Sequence, residues 1–354
     1  MVDLVITSVF PRKKWVAEKT YYKQLETGEV IKHADTNGEC RYRDFGLLRF
    51  WLRTIEKNCN WYNKIFLIVQ DEDQVPEWLD TTNPKIRVVY HREFIPEELL
   101  PTFSTNTIEL HMHRIPDLSE HFLYFNDDMF ILKPVKKDRF FRDGKPVYDY
   151  HTKPQKYRAK SNPFLLMLWN NKHLEDKYKK TNTVFVDSHL MHPMSKSFNT
   201  KIYNENKSIY NSVKMSRFRH EKNMTDWVYT DIMQLMGETY TDKNFMRNST
   251  YTALKSYYVD FEPYFRKDLV CFNDTNNLVV ERYLEVKHHL LLTFLKHYPK
   301  PSQFEKPDML YILKGEYEKD LKLDNRYHNI LVSDVDQPNI SHDVLKVKDI
   351  NNID

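Results

Sequence analysis

Glycine is the residue that this sequence most clearly lacks. Six glycines stand among 354 residues, which is about a quarter of the share expected from an average glycine usage of roughly 7%. No two of them form a Gly-x-Gly pair. Dinucleotide-binding fingerprints and phosphate-binding loops need clustered glycine, because the backbone must approach the phosphates closely. The sequence therefore excludes both motifs, and any bound nucleotide must be held by side chains.

Cysteine, long apolar runs and excess charge are also scarce. Cys40, Cys59 and Cys271 are widely spaced and odd in number, which argues against a disulfide framework or a cysteine zinc site and favours a reducing, cytoplasmic compartment. No apolar run approaches the ~20 residues of a membrane span. Met1 leads directly into VDLVI, without the basic region of a secretory signal. The net charge is only +3, so a nucleic-acid partner is not expected.

Hydrophobic periodicity predicts an α/β fold. Apolar and β-branched runs predict strands, and helical spacing predicts helices. The strands are expected over 2–9, 64–70, 85–91 and 121–132, and the helices over 43–57, 104–114 and 281–297. This order predicts a mixed, partly parallel sheet with flanking helices, followed by a more helical C-terminal part. The stretch up to residue 40 is polar and without a pattern, and residues 136–180 are basic and predicted to be irregular.

The clearest chemical feature is the run Asn126-Asp127-Asp128, where two carboxylates interrupt an apolar strand. Burying an unpaired carboxylate is costly, so one interpretation is a divalent cation with oxygen ligands. The other is an ordinary strand end whose carboxylates are solvated or cap a turn. Ligands of open α/β sheets bind at the carboxyl ends of strands, so this run is expected near a functional site.

Three further groups contain chemically useful side chains. Arginines within 43–57 could bind phosphate, although single arginines on helices are more often solvated. Histidines cluster within 111–113, 189–192 and at 220, where one could act as a general base, although a lone histidine is more often structural. The pair Asn273-Asp274 is either a helix cap or part of a metal or sugar site.

The ordered run from Arg43 to Pro134 resembles the second conserved region of the stealth family. Its matching pieces are RDFGLLRFWLRTIEKN, WYNKIFLIV, QVPEWLDTTNPKIRVVYHREFIP and LPTFSTNTIELHMHRIPDLSEHFLYFNDDMF. The runs SHLMHPMSKS and SRFRHEKNMTD resemble the third region, and CFND with FLKHYPKPSQFEKP resembles the fourth. The first region departs from the family, because Phe10-Pro11-Arg12 stands where an Asp-Gly turn is usual, although Asp3 is retained.

The resemblance implies a domain organisation and a fold. A catalytic region is expected over 1–306, with matching segments at about 1–10, 41–135, 185–240 and 270–306, and an extension of unknown role over 307–354. The expected core is like that of GT-A nucleotide-sugar transferases.

The resemblance also implies an activity, that of a transferase of phosphorus-containing groups. Such an enzyme transfers hexose-1-phosphate, or N-acetylhexosamine-1-phosphate, from a UDP-sugar to a glycan hydroxyl and releases UMP, in capsule or exopolysaccharide synthesis. The implied partners are a UDP-sugar donor and a polysaccharide or lipid-linked glycan acceptor, and the implied cofactor is Mg²⁺ or Mn²⁺. A lipid-linked acceptor would bring the chain to the inner face of the bacterial membrane. The apolar helix 281–297 would then either pack into the core or contact the membrane surface peripherally.

Roles for individual residues follow from the same resemblance. The expected catalytic residues are Asp44, Asp128, Arg219 at the transferred phosphate, and His192 as the base, with His113 in reserve. The expected donor-binding residues are Asp3, Arg43, Arg53, Asn106, His113 and Arg114. The expected metal ligands are Asn126, Asp127, Asp128, Asn273 and Asp274.

Two other functions remain open. A metal-dependent glycosyltransferase would share the sheet and the donor but would break the sugar C1–O bond and release UDP. The Asn-Asp-Asp run favours phosphotransfer, because glycosyltransferases of such a fold more often carry Asp-x-Asp. A non-catalytic glycan-binding protein would stack its many aromatic side chains on sugars, although most of them fall at core-like positions.

Overall fold

Strands and helices alternate through the described part of the chain. The computed structural model describes residues 1–26, 38–149, 151–154, 163–186, 189–257, 259–275 and 277–306. Its strands are β1 Val2–Thr7, β2 Ile65–Val69, β3 Ile86–Tyr90, β4 His121–Phe125, β5 Met129–Ile131, β6 Phe141–Arg142, β7 Lys145–Tyr148, β8 His151–Pro154, β9 Thr183–Val186, β10 His192–Ser195, β11 Tyr240–Thr241, β12 Ser249–Ala253 and β13 Leu269–Asn273. Its α-helices are α1 Lys13–Leu25, α2 Leu48–Asn58, α3 Thr105–His111, α4 Pro163–Tyr178, α5 Lys196–Glu205, α6 Lys207–Val213, α7 Trp227–Leu235 and α8 Val280–His297.

The central sheet has the strand order β10-β4-β1-β2-β3. Strand β1 runs parallel to both β2 and β4, and β3 runs parallel to β2. Strand β10 closes one edge in the antiparallel direction. The prediction of a mixed, partly parallel sheet is therefore confirmed. Because four neighbouring strands share a direction, their carboxyl ends meet at one edge, where ligands of open α/β sheets bind.

Both faces of this sheet are covered by helices. Successive strand residues point to opposite faces, so Leu4 and Ile6 join one apolar core while Val5 joins the other. The first core also takes in α2 and α8, and the second takes in α3, α5, α6 and α7. Burial on both faces explains why the central strand β2, IFLIV, is continuously apolar.

Helix α2 begins later than predicted, and the difference positions functional side chains. Its apolar residues recur at helical spacing, and Trp51 packs edge-on against Phe125 of β4. The preceding residues form a turn instead of helix. Gly46 adopts a positive φ of 69°, and its N–H donates to Oδ1 of Asp44 at 2.7 Å. Arg43 and Asp44 therefore lie on a loop before the helix and not on its surface.

The carboxylate run ends one strand and starts another. The single strand expected over 121–132 is divided into β4 and β5. Strand β5 leaves the central sheet and pairs antiparallel with β13, which itself runs parallel to β12. The turn 126–128 therefore connects two sheets, and its side chains lie at the junction between them.

Two segments form helices that the sequence did not predict. Helix α1 lies in the polar stretch before residue 40, and it buries Trp15 and Lys19. Helix α4 lies within 136–180, where the prediction of irregular structure is wrong. Its buried positions include Asn171, Lys172 and Glu175. Polar residues at buried positions hide the apolar period on which the prediction depended.

The C-terminal part is helical as expected. Helices α5 to α8 follow the last strand of the central sheet, although β11, β12 and β13 are interspersed among them. Leu290 and Phe294 of α8 are fully buried in the first core, so the protein interior covers the apolar face of that helix. None of the described helices combines the length and apolar character that crossing a membrane requires. The expected extension 307–354 lies outside the described residues.

Candidate active site

A cleft of about 700 Å³ lies at the carboxyl edge of the central sheet. Its walls come from the end of β1, the loop before α2, helix α3, the turn 126–128, the start of β10 and the end of β13. Most of the predicted site residues line it. They are Arg43, Asp44, Asn106, Asn126, Asp127, Asp128, His192, Arg219, Asn273 and Asp274.

Asp3 and Arg53 do not line the cleft. Asp3 lies at the opposite end of β1, where it accepts hydrogen bonds from Asn63 Nδ2 at 2.9 Å and from the Ser119 N–H at 2.7 Å. Arg53 is buried against Glu305, with a 2.7 Å contact from Nε to Oε1. Both charges are therefore paired inside the fold and lie outside the cleft.

His113 and Arg114 also lie outside the cleft. The His113 ring packs on Tyr203 with 4.8 Å between centroids, and burial lowers its pKa to about 3. Such a histidine stays neutral at physiological pH but has no access to a substrate in the cleft. Arg114 is exposed on the surface. Neither residue fits the donor-binding role expected from the sequence.

One end of the cleft is strongly acidic. Asp127 lines the cleft and is partly open to solvent, while the surrounding protein still removes water from its carboxylate. This burial, followed by the charges of Asp128 and Asp44, raises the pKa of Asp127 well above its ordinary value. Burial also raises the pKa of Asp274 to about 6, although Arg43 opposes the shift. Concentrated negative charge of this kind favours a bound cation.

Arg43 fixes one wall of this acidic end. Its guanidinium donates to both carboxylate oxygens of Asp274, at 2.7 and 2.9 Å. It also donates to the carbonyl of Leu278 at 3.0 Å. The arginine expected to bind the donor therefore joins the loop before α2 to the end of β13. Asn273, the neighbouring predicted ligand, donates to the Tyr251 hydroxyl.

A second set of donor atoms lies at the back of the acidic end. Asp128, His189 and Cys271 each offer one donor atom, and the three atoms lie within 4.8 Å of one another. Oδ1 of Asp128 is buried and accepts no hydrogen bond from the described residues. Burial lowers the pKa of His189 and raises the pKa of the Cys271 thiol. An unsatisfied carboxylate oxygen beside a nitrogen and a sulfur donor fits a divalent metal ion.

His192 and Asp226 form a buried pair on the other side of the cleft. Nδ1 of His192 lies 2.8 Å from Oδ2 of Asp226, and both side chains are almost fully buried. With Nδ1–H donating to the carboxylate, Nε2 is the nitrogen that can accept a proton. A base oriented by a carboxylate is a recurring arrangement for activating a hydroxyl. Asp226 was not predicted, and no sequence spacing links it to His192.

Glu109 and Tyr124 lie between this pair and the acidic turn. The Tyr124 hydroxyl donates to Oε1 of Glu109 at 2.9 Å and contacts Oδ1 of Asn126. Burial, followed by the charge of Asp226, raises the pKa of Glu109 to about 7. Glu109 was also missed, although it follows Asn106 by three residues and therefore shares its face of α3.

Arg219 and Asn106 complete the cleft beside α3. Nε of Arg219 donates to Thr105 Oγ1 at 2.9 Å, and its guanidinium brings positive charge to this wall. Nδ2 of Asn106 donates to the Met224 carbonyl at 2.9 Å. Its Oδ1 is buried without a hydrogen-bond partner in the part of the chain that the structure describes. An unused acceptor lining a cleft is suited to a ligand that donates a hydrogen bond.

Comparison with known proteins identifies the family. The family model for Stealth protein CR2, conserved region 2, matches residues 41–148. The receptor polysaccharide phosphotransferase WefC of Streptococcus oralis is 31% identical over 259 residues, which cover 64% of this chain and 76% of that protein. The chain belongs to the stealth family. The capsular polysaccharide phosphotransferase WcwK of Streptococcus pneumoniae, another relative, is 29% identical over 343 residues, covering 86% of this chain and 99% of that protein.

The resemblance seen in the sequence is therefore confirmed, and so is the expected class of enzyme, a transferase of phosphorus-containing groups. Among solved structures, the galactosyltransferase LgtC in complex with donor and acceptor sugar analogues is 11% identical, with a TM-score of 0.32 over 81% of this chain and 95% of that chain. At this level of similarity the two proteins need not share a mechanism.

Proposed function

We propose that this stealth protein transfers hexose-1-phosphate, or N-acetylhexosamine-1-phosphate, from a UDP-sugar to a glycan hydroxyl and releases UMP. The polymer would be a capsular or extracellular polysaccharide. The names of the relatives support this proposal, because WcwK and WefC are called capsular and receptor polysaccharide phosphotransferases. The acceptor would be a polysaccharide or a lipid-linked glycan.

The observation that supports the proposal is that three groups of side chains line one cleft. The acidic turn 126–128, the pair His192–Asp226 and the guanidinium of Arg219 all line it. Phosphoryl transfer needs a positioned base for the acceptor and positive charge around the reacting phosphate, and little further covalent chemistry. In this proposal His192 is the base and Arg219 supplies the fixed positive charge.

The proposed reaction is a single displacement at the phosphorus that carries the sugar. The acceptor oxygen forms a new P–O bond, and Nε2 of His192 takes the acceptor proton. The bond between that phosphorus and the bridging oxygen of the diphosphate breaks, and UMP leaves with the electron pair. The sugar keeps its anomeric configuration, because its C1–O bond is not touched.

The remaining cleft residues position the reactants. Arg219 neutralises the transferred phosphate, and Glu109 and Tyr124 keep the turn with Asn126 in place. Asp44 adds to the negative charge at the cation side, while Arg43 holds Asp274. A divalent cation bound at Asp128 would offset the charge of the diphosphate.

Product analysis tests the proposal. The purified protein is incubated in separate reactions with Mg²⁺, Mn²⁺, Zn²⁺ or Co²⁺, each with a panel of UDP-sugars and a capsular glycan acceptor. The released nucleotides are then separated by chromatography. Acceptor-dependent UMP is the expected result. UDP would instead indicate a glycosyltransferase, and glycan binding without nucleotide release would indicate a non-catalytic relative. An inactive His192→Gln variant serves as the control for contaminating hydrolases.

A further inference from the structure

We propose that the metal of this cleft is bound by Asp128, His189 and Cys271, and that Cys271 binds it as a thiolate. This donor set takes a borderline divalent ion such as Zn²⁺ or Co²⁺ in preference to Mg²⁺. The proposal concerns metal binding alone and does not depend on the proposed phosphotransfer.

The backbone brings two of these donors together. Strands β5 and β13 pair antiparallel, with Met129 opposite Cys271. The N–H of Phe272 donates to the carbonyl of Asp128 at 2.8 Å. Asp128 therefore precedes by one residue the strand position that faces Cys271, and this backbone pairing holds the carboxylate near the thiol.

The third donor, His189, belongs to a separate segment and has an uncommon backbone conformation. His189 has a positive φ of 50°, a region that few residues other than glycine adopt. Its ring packs on Tyr251, with 5.6 Å between centroids. Uncommon backbone conformations of this kind cluster at ligand-binding sites, where the surrounding structure imposes them. Here the conformation brings the imidazole close to Asp128 and Cys271.

The oxygen ligands expected from the sequence are partly committed elsewhere. Both carboxylate oxygens of Asp274 accept from Arg43, and Oδ1 of Asn126 contacts the Tyr124 hydroxyl. Mg²⁺ requires near-ideal octahedral oxygen coordination. One carboxylate, one imidazole and one thiol instead resemble the three-ligand catalytic sites of borderline metals, which leave a further position for water or substrate. Asp128 and His189 line the cleft, so that position would face the substrate.

Absorption spectroscopy of the Co²⁺-bound protein shows directly whether a thiolate binds the metal. Co²⁺ is added to the metal-free full-length protein, and the near-ultraviolet absorption is recorded together with proton release into a weakly buffered solution. A thiolate ligand gives a sulfur-to-cobalt charge-transfer band, and binding displaces the thiol proton. We expect this band to appear at one equivalent of Co²⁺, to disappear on addition of Zn²⁺, and to persist in excess Mg²⁺.

Two variants assign the band. Cys271→Ser should abolish it, whereas Cys40→Ser should retain it, because Cys40 lines the same cleft outside the three-donor group. His189→Asn should weaken Co²⁺ binding on the order of tenfold or more, since loss of even an outer hydrogen-bond partner costs about 10–100-fold in metal affinity. Asparagine tolerates the positive φ at this position, so this variant tests the imidazole even where Cys271→Ser folds poorly.

Each outcome decides the proposal. A protein that binds Co²⁺ without the thiolate band, or that binds none, overturns it, and so does a band that survives in Cys271→Ser. A wild-type band combined with failure to release UMP would leave the metal site in place and refute the proposed function alone.

Discussion

The imidazole of His192 owes its orientation to a carboxylate distant in sequence. Nδ1 contacts Asp226 at 2.8 Å, and the two residues are 34 positions apart. Burial of both side chains strengthens this contact, because water does not compete for the carboxylate. The orientation of the proposed base is therefore sensitive to a residue that does not itself act on the substrate.

Replacing Asp226 by Asn tests this dependence. The amide can donate to Nδ1 and favour the tautomer with the proton on Nε2, so the ring would no longer accept the acceptor proton. We expect kcat for UMP release to fall by about 10²–10⁴-fold, with a smaller change in the KM of the donor. Asp176→Asn is the control, because Asp176 pairs with Lys172 outside the cleft. Nearly normal turnover in Asp226→Asn would show that His192 is not the base.

We expect His113 to affect stability, because it is buried outside the cleft. Its pKa is lowered by burial from 6.5 to about 3, so the unfolded chain binds a proton in this interval and the folded protein does not. Stability from this residue is present above pH 6.5 and is lost as the pH falls, by up to about 1.4 kcal/mol per pH unit. His113→Phe should remove this contribution. Urea unfolding at pH 7 and pH 5 measures it, and an unchanged pH dependence in the variant would contradict the assignment.

At the scale of secondary-structure elements, one side chain connects three parts of the cleft. The hydroxyl of Tyr124 on β4 contacts Glu109 on α3, Thr7 at the end of β1, and Asn126 in the acidic turn. The pairing of β10 with β4 then places His192 opposite Tyr124. Strand register thus fixes the distance between the proposed base and the acidic turn.

Tyr124→Phe tests this connection. The variant keeps the aromatic packing but leaves buried acceptors without their donor, which should cost about 1–3 kcal/mol of unfolding free energy. Turnover should also fall, because the turn with Asn126 loses an anchor. Tyr229→Phe is a matched control, since Tyr229 is equally buried and donates to the Leu110 carbonyl away from the cleft. Equal activity loss in both variants would mean that general destabilisation, and not positioning, explains the effect.

Sequence patterns predicted elements whose buried positions are apolar and periodic. Strands β1 to β4 and helices α2 and α8 meet this condition, and the acidic run stood out because it interrupts such a strand. Helix α4 was not predicted, because the buried polar residues Lys172 and Glu175 interrupt the spacing of its apolar residues. Asp226 and Glu109 could not be assigned partners, since their contacts depend on how α3, β10 and α7 pack. The position of Arg53 and Asp3 outside the cleft could not be foreseen, because charge alone does not distinguish a buried ion pair from a residue lining a cleft.

At the scale of the whole molecule, residues 302–306 hold together parts of the chain that surround the first core. Arg53 on α2 and Glu305 form an ion pair with side-chain exposures of 2% and 0%. The carbonyl of Phe304 accepts from the Asp80 N–H at 2.9 Å, and the Lys306 N–H donates to the Trp78 carbonyl at 2.9 Å. Residues 302–306 therefore connect α2 to the loop after β2 across the molecule.

Glu305→Ala should destabilise the whole protein. The substitution leaves the Arg53 guanidinium buried without its counter-ion, which costs about 3–5 kcal/mol. Glu262→Ala is the control, because Glu262 pairs with the exposed Lys296, and surface pairs contribute no more than about 1 kcal/mol. Urea midpoints of the two variants give the comparison. Equal midpoints would show that the segment 302–306 does not contribute to global stability.

The proposal that this cleft transfers a sugar phosphate is tested most directly by isotope labelling. The experiment follows the oxygen atom that joins the sugar to the diphosphate. The donor UDP-sugar is labelled with ¹⁸O at the C1–O position and incubated with protein, metal and acceptor. Phosphotransfer predicts unlabelled UMP and a phosphodiester product that retains the label beside C1, visible by mass spectrometry and ³¹P spectroscopy. Label recovered in released UDP would show that the C1–O bond breaks, and the account of this cleft as a phosphotransferase site would be wrong.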